Sequence, residues 1–267
     1  MLVMVSGASW GQSLLVDDFT GTSGTLLTAN GWVAHSGTGT GPMSVAIPGL
    51  TYSGYLSSGV GNATSASGNS EDINKAFTSA NSGSVYYSFM INASPTITSG
   101  DYSFHFCQTS GASAGGFYGR FFIQKDATSN LRFGISKFSS TASYTGYTYA
   151  TGTTYLIVVK YTFNTGSTTD DAVALFVNPV AGAAEPAATV SVTTETTADA
   201  TTLAAIAIRQ WNAGTLARFD GIRVGLTWAD VTPATAGCTP PATQATSSAS
   251  TSITSNSATA NWSIATV

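Results

Sequence analysis

Residues 155–163 read Tyr-Leu-Ile-Val-Val-Lys-Tyr-Thr-Phe. In a strand, successive side chains point to opposite faces, so Tyr155, Ile157, Val159, Tyr161 and Phe163 share one side and Leu156, Val158, Lys160 and Thr162 the other. The run is rich in β-branched and aromatic residues, and turn-forming residues close it at both ends. It predicts a strand with one fully apolar face and a second face that is apolar in part.

The pattern repeats outward in both directions. Ser84–Ile91 places Val85, Tyr87, Phe89 and Ile91 together, and Tyr102–Gln108 sets Tyr102, Phe104 and Phe106 against Ser103, His105 and Cys107. Gly119–Asp126 and Leu131–Phe138 read as a hairpin joined by Ala127–Asn130. Leu14–Phe19, Asp171–Asn178, Leu203–Gln210 and Ala217–Trp228 complete the set. Short strands separated by turn signals about every ten residues predict a two-sheet antiparallel sandwich rather than alternating strands and helices.

Composition agrees. Only 8% of the 267 residues are charged, against about 25% in an ordinary soluble domain. Ser, Thr, Gly, Ala and Asn supply the polarity, which leaves few of the residues that line long helices. A formal charge of −4 argues against nucleic acid as a partner, because phosphate neutralisation needs basic clusters. No apolar run reaches the length of a membrane span. Residues 1–13 begin with a short apolar stretch followed by small residues and read as the remnant of a secretory signal. Cys107 and Cys238 are far apart; the simplest reading leaves Cys107 as a small buried thiol in its strand.

Asp17–Gly41, Glu71–Phe77, Asp101–Phe106 and above all Phe219–Trp228 (FDGIRVGLTW) resemble a laminin-G-like, concanavalin-type jelly roll found near the N-terminus of large secreted bacterial proteins, many of them similar to cargo of the type IX secretion route. The resemblance covers about residues 14–230 and implies an all-β jelly-roll sandwich, extracellular or cell-surface life and, most often, binding. Residues 231–241 read as a linker. In 242–267, the run ending SATANW at Trp262 resembles the opening strands of a fibronectin type III domain, here truncated, which makes downstream domains of the same chain an expected partner.

Chemistry-bearing motifs are sparse. The acidic strand motif of laminarinase-like hydrolases is absent: Glu71 and Asp72 are adjacent, so in a strand they face opposite ways. There is no nucleophile elbow and no clustered His or Cys for zinc. The resemblance implies a structural calcium between the first and last strands, with Asp17 or Asp18 and Asp220 as ligands; a cation of that kind wants six to eight oxygens. The plain alternative is that Asp220 caps nearby backbone amides.

His105, Arg120, Arg132, Lys160, Arg209 and Trp211 all fall on the non-core parity of their strands. If one sheet carries them, guanidinium forks and an indole converge on a groove suited to a polysaccharide or cell-surface glycan, in particular a uronate chain. The loop aromatics Trp32, Tyr52, Tyr55, Tyr144, Tyr147 and Tyr149 read as covers of the sandwich ends, with glycan binding at the rim as the alternative. The function expected is a non-catalytic adhesion or carbohydrate-binding module. The alternatives are a polysaccharide lyase or hydrolase of the same fold, against which the R-x-E-L and Q-x-H strings of alginate-lyase jelly rolls are missing, and a spacer that binds nothing.

Overall fold

The computed structural model describes residues 13–68, 70–95, 98–211 and 216–235, together with the backbone of two strands within 247–262. The signal-like segment 1–13, save Ser13, and Cys238 lie outside the described residues.

The strands are β1 (Leu15–Asp17), β2 (Val33–Ser36), β3 (Val45–Ala46), β4 (Ala63–Ala66), β5 (Asp72–Ala80), β6 (Ser84–Ala93), β7 (Asp101–Cys107), β8 (Phe117–Lys125), β9 (Asn130–Ser136), β10 (Ser143–Tyr144), β11 (Tyr149–Ala150), β12 (Thr154–Thr162), β13 (Ala172–Val177), β14 (Val190–Val192), β15 (Leu203–Ile208) and β16 (Ala217–Gly225). They form two eight-stranded sheets. The first runs β14-β13-β12-β6-β16-β4-β3, with β1 also on β16. The second runs β10-β9-β8-β7-β15-β5-β2, with β11 also on β9. The pairings are antiparallel, and the chain passes repeatedly from one sheet to the other. This is the jelly-roll sandwich that the alternating runs and the resemblance predict.

The core lies between the inner faces. Phe89 of β6 stacks on Phe104 of β7 at 4.2 Å between centroids, with Tyr87, Phe106, Phe121 and Phe219 around them. The tyrosine hydroxyl of Tyr87 donates to the Gly119 carbonyl of the facing sheet at 2.7 Å, which satisfies a polar atom that burial would otherwise leave costly. In β12, Tyr155, Ile157, Val159 and Tyr161 join this core.

The two outer faces differ, and that difference positions the site. On the first sheet, Met90 and Leu156 are covered by Leu50 and Tyr55, and Tyr86, Val158 and Phe176 by Trp228 and Val231. This is why β6 and β12 are apolar at both parities: a strand buried on two faces needs no polar side. The outer face of the second sheet carries the polar parity and its aromatic companions.

Residues 228–234 belong to the sandwich. A short helix, α1 (Trp228–Val231), opens with a capping box of Thr227 and Asp230. Val231 and Thr232 are fully buried, and Leu56 donates its N–H to the Pro233 carbonyl at 2.9 Å. The first compact unit closes at Ala234 and a second begins at Thr235, so residues 231–234 of the expected linker lie in the first unit. In that second unit, β17 (Ser247–Thr254) and β18 (Ser257–Trp262) pair as an antiparallel hairpin.

Candidate functional site

The outer face of β7, β8, β9 and β15 gathers four of the six predicted ligand residues. Two local irregularities build it. β7 and β8 slip register between Tyr102 and Phe104 and again between Phe104 and Phe106, and such bulges re-aim side chains. The first turns Tyr102 out to meet His105, Arg120 and Arg209, so the expectation that it joins Phe104 and Phe106 in the core is corrected. The second involves Gly119, whose φ of +55° suits glycine. Arg120 follows on the outer face.

Tyr102 lies between two guanidiniums. Arg209 stacks at 4.2 Å and Arg120 at 4.7 Å from its ring, and the far side of Arg120 meets the Phe138 ring at 4.7 Å. Arg209 is paired with Asp101 at 2.8 Å. Asp72 is nearby; burial pushes its carboxyl up to about 6, against the pull of the Gln210 N–H and of Arg209. Arg120 donates from Nε to the Phe117 carbonyl at 3.0 Å, and partial burial draws it below the usual guanidinium value. Arg132 gives two N–H groups to Gln124 Oε1 and is held between Tyr144 and Tyr147 at 4.1 and 4.5 Å. Segment 139–153 borders this face and packs Tyr144 and Tyr147 on Arg132. β10 and β11 extend the sheet at the edge of β9, and the ring of Tyr144 occupies the space that the missing side chain of Gly134 leaves.

His105 lies beneath this face. It is fully buried under Phe117, whose ring centroid is 4.5 Å away, with Tyr102 at 5.4 Å and His35 at 6.5 Å. Its Nδ1 is 3.1 Å from the Phe106 carbonyl; a carbonyl only accepts, so Nδ1 holds the proton and Nε2 presents a lone pair. That Nε2 is buried and has no hydrogen-bond partner. Burial pushes the imidazole down to about 3, so it is neutral at ordinary pH.

Two predicted ligands are elsewhere. Lys160 is on β12, in the first sheet, where it pairs with Glu185 at 2.9 Å and lies over Tyr86. Parity identifies the face of a strand but not the sheet that the strand enters. Trp211 is a core residue, 3% exposed. The chain leaves β15 after Ile208, and Asp72 holds the Gln210 N–H at 2.8 Å; strand alternation therefore does not extend to Trp211. Of the loop aromatics, Trp32 and Tyr55 are buried, as covers should be, whereas Tyr144 and Tyr147 are part of the groove.

The expected calcium ligands are Asp17 or Asp18 with Asp220. Asp17 bonds Lys75 Nζ at 2.7 Å, the Trp32 indole N–H at 2.8 Å and the Phe19 N–H at 2.9 Å, which favours Asp18, the other of the two alternatives. Asp220 accepts the N–H groups of Leu50 and Gly221 at 2.7 and 2.6 Å, as the capping alternative predicts. Burial, with the nearby Asp18 charge adding to it, pushes Asp220 up to about 7. Asp18 Oδ1 is buried without a partner, and burial raises this carboxyl too. Asp18 and Asp220 thus fit a cation in part. Among the described residues the three-carboxylate group is another one, Asp170, Asp171 and Asp199, and it already has a counter-ion. The ammonium of Lys137, fully buried, pairs with Asp199 at 2.6 Å.

No family model matches the chain, and no curated protein matches it. Among solved structures, it is similar to an alginate lyase mutant in complex with alginate tetrasaccharide, at 13% identity and a TM-score of 0.48 over 81% of this chain and 98% of the other. An endo-β-1,4-glucuronan lyase from the fungus Trichoderma reesei gives 12% and 0.45 over 82% and 98%. Domain 4 of an extracellular arabinanase from Geobacillus stearothermophilus, in complex with arabinotriose, gives 14% and 0.40 over 84% and 98%.

Sequence reasoning missed Tyr102, Phe138 and the pairing of Arg132 with Tyr144 and Tyr147. The tyrosines were visible as loop aromatics, but no local signal tied them to an arginine twelve or more residues earlier.

Proposed function

We propose that this protein is an extracellular, non-catalytic module that binds an acidic oligosaccharide across the outer face of the second sheet. One observation carries the reading. Arg120 is clamped between the rings of Tyr102 and Phe138, yet it has no place among the ion pairs of the described residues. Its Nε is used by Phe117, and its Nη groups remain for a ligand. A guanidinium held flat in this way offers a planar fork that matches a carboxylate. Arg132, likewise without a carboxylate partner, offers a second cation. It sits four residues along from the partner of Arg120, about 13 Å at strand rise. That spacing suits a chain carrying repeated carboxylates better than a single small anion.

The non-catalytic part rests on access. Eliminating a uronate needs a base within hydrogen-bond reach of the proton it takes. His105 lies wholly beneath Phe117, and burial keeps the Tyr102 phenol protonated. A lyase is the second reading, favoured by the unpartnered Nε2 of His105.

Replacing Arg120 with methionine should weaken binding of an oligouronate by about 1–3 kcal/mol in calorimetric titration, with the far-ultraviolet spectrum unchanged. Equal affinity in the variant would remove the ligand from this face. Absorbance of unsaturated uronate on long incubation would promote the lyase.

Asp18, which follows β1, and Asp220 of β16 are the residues that would hold a calcium ion. Millimolar calcium should then raise the melting temperature over that in chelator, as ligand linkage requires. Superimposable curves would leave Asp220 as a backbone cap alone.

A further inference from the structure

A cleft of about 440 Å³ opens at one end of the sandwich, where three connections meet: 81–83 between β5 and β6, 163–171 between β12 and β13, and 198–201 ahead of β15. Its size falls in the range of small-ligand sites. Its chemistry is the reverse of the arginine groove. Phe163 forms an apolar wall, Asn81, Ser82, Asn164, Thr165, Ser167, Thr168 and Thr201 supply amides and hydroxyls, Asp171 and Asp199 supply carboxylates, and no lysine or arginine lines it.

The walls are fastened from behind. Phe163 donates its N–H to the Gly83 carbonyl at 2.9 Å, and the Asp199 N–H bonds the Thr168 carbonyl at 2.9 Å. Asp171 takes the Tyr161 hydroxyl and the Asn164 N–H, both at 2.6 Å, and Asp199 takes the N–H groups of Asp170 and Asp171. Asp171 is buried and each of its oxygens already has a donor, so it serves to fix the wall; Asp199 Oδ2, with the Asp170 N–H as its one donor, keeps a lone pair for a ligand. The side chains of Asn81, Ser82, Thr165 and Thr168 make no hydrogen bond among the described residues. A divalent cation is disfavoured, because the Lys137 ammonium already sits on Asp199.

We infer that this cleft is a second binding site, for a neutral saccharide unit. The sugar hydroxyls donate to Asp199 and exchange hydrogen bonds with the free amides and hydroxyls, while one face of the sugar ring lies on Phe163. A uronate is repelled by the two carboxylates, so the two sites take ligands of opposite electrostatic class.

The test titrates the full chain with maltotriose and with mannotriose, followed by NMR and calorimetry. At least one should bind and shift the amides of residues 81–83 and 163–168. Phe163→Ala and Thr168→Val should each weaken it several-fold or more, and Arg120→Met should leave it unchanged. Thr168 is exposed, so its variant is read free of any folding defect that Phe163→Ala brings. Binding lost in Arg120→Met but kept in both cleft variants would overturn the inference, as would binding of neither sugar. Calcium alone shifting the same amides would overturn it in favour of a cation site.

Discussion

Replacing Lys137 with methionine should lower the unfolding free energy of the sandwich by about 3–5 kcal/mol at neutral pH, the usual scale when one partner of a buried pair is removed. The ammonium is fully buried and bonds Asp199 Oδ1 at 2.6 Å and the Thr169 carbonyl at 3.1 Å. Asp199 in turn holds the backbone of Asp170 and Asp171, and Asp171 holds Tyr161, whose hydroxyl accepts the Ala200 N–H at 2.9 Å. Without the ammonium, Asp199 and Asp171 face each other as like charges with little solvent. Asp171 is already raised by burial, with the Asp199 charge adding to it. The loss should therefore be smaller when Asp199→Asn accompanies the change, because the uncompensated charge leaves with it. Denaturant unfolding of the single and double variants measures both. A cost under about 1 kcal/mol for Lys137→Met would mean that the ammonium is not what ties these connections to the end of β9.

Exchanging His105 for glutamine should make the protein more resistant to acid. The imidazole value of about 3 in the folded chain lies below the unfolded value near 6.5. Protons therefore bind preferentially to the unfolded chain, and stability is lost as pH falls through 6.5. At about 1.4 kcal/mol per pH unit, this one group takes away roughly 3 kcal/mol between pH 6.5 and pH 4. Glutamine does not titrate, so the wild-type chain should lose about that much more than the variant over the interval. His35, also lowered by burial, is present in both and cancels. Parallel curves of stability against pH would show that His105 reaches solvent, and the argument against a catalytic base on this face would fall with it.

The fold was legible because β12 and β6 state it openly. Period-two alternation with apolar residues at the inner parity has few other meanings, whereas the cover over the outer parity of β6 comes from distant segments that alternation does not reveal. The site was legible only in part. Arg120, Arg132, Arg209 and His105 could be read from parity, since strand alternation is local. Lys160 obeys the same parity on the wrong sheet, because sheet membership is a long-range property. Tyr102 defeated the rule through a register slip between β7 and β8, and Trp211 through the exit of the chain from β15. Lys137, Asp171 and Asp199 gave no signal at all: they lie 28 or more residues apart in sequence and only folding unites them. Asp17 and Asp18 show the limit of a resemblance. Adjacent in sequence, they have different partners, and Lys75 takes one of them.

The central claim is that Arg120, Tyr102 and Arg209 form the floor on which an acidic oligosaccharide lies. Amide and arginine side-chain NMR during titration with an oligouronate tests it most directly. The resonances of Tyr102, Arg120 and Arg209 should move together, saturate with one affinity and weaken with added salt, since the attraction is between partly exposed charges. Shifts confined to Lys160 and its neighbours on the first sheet, or no shifts at millimolar ligand, would contradict it.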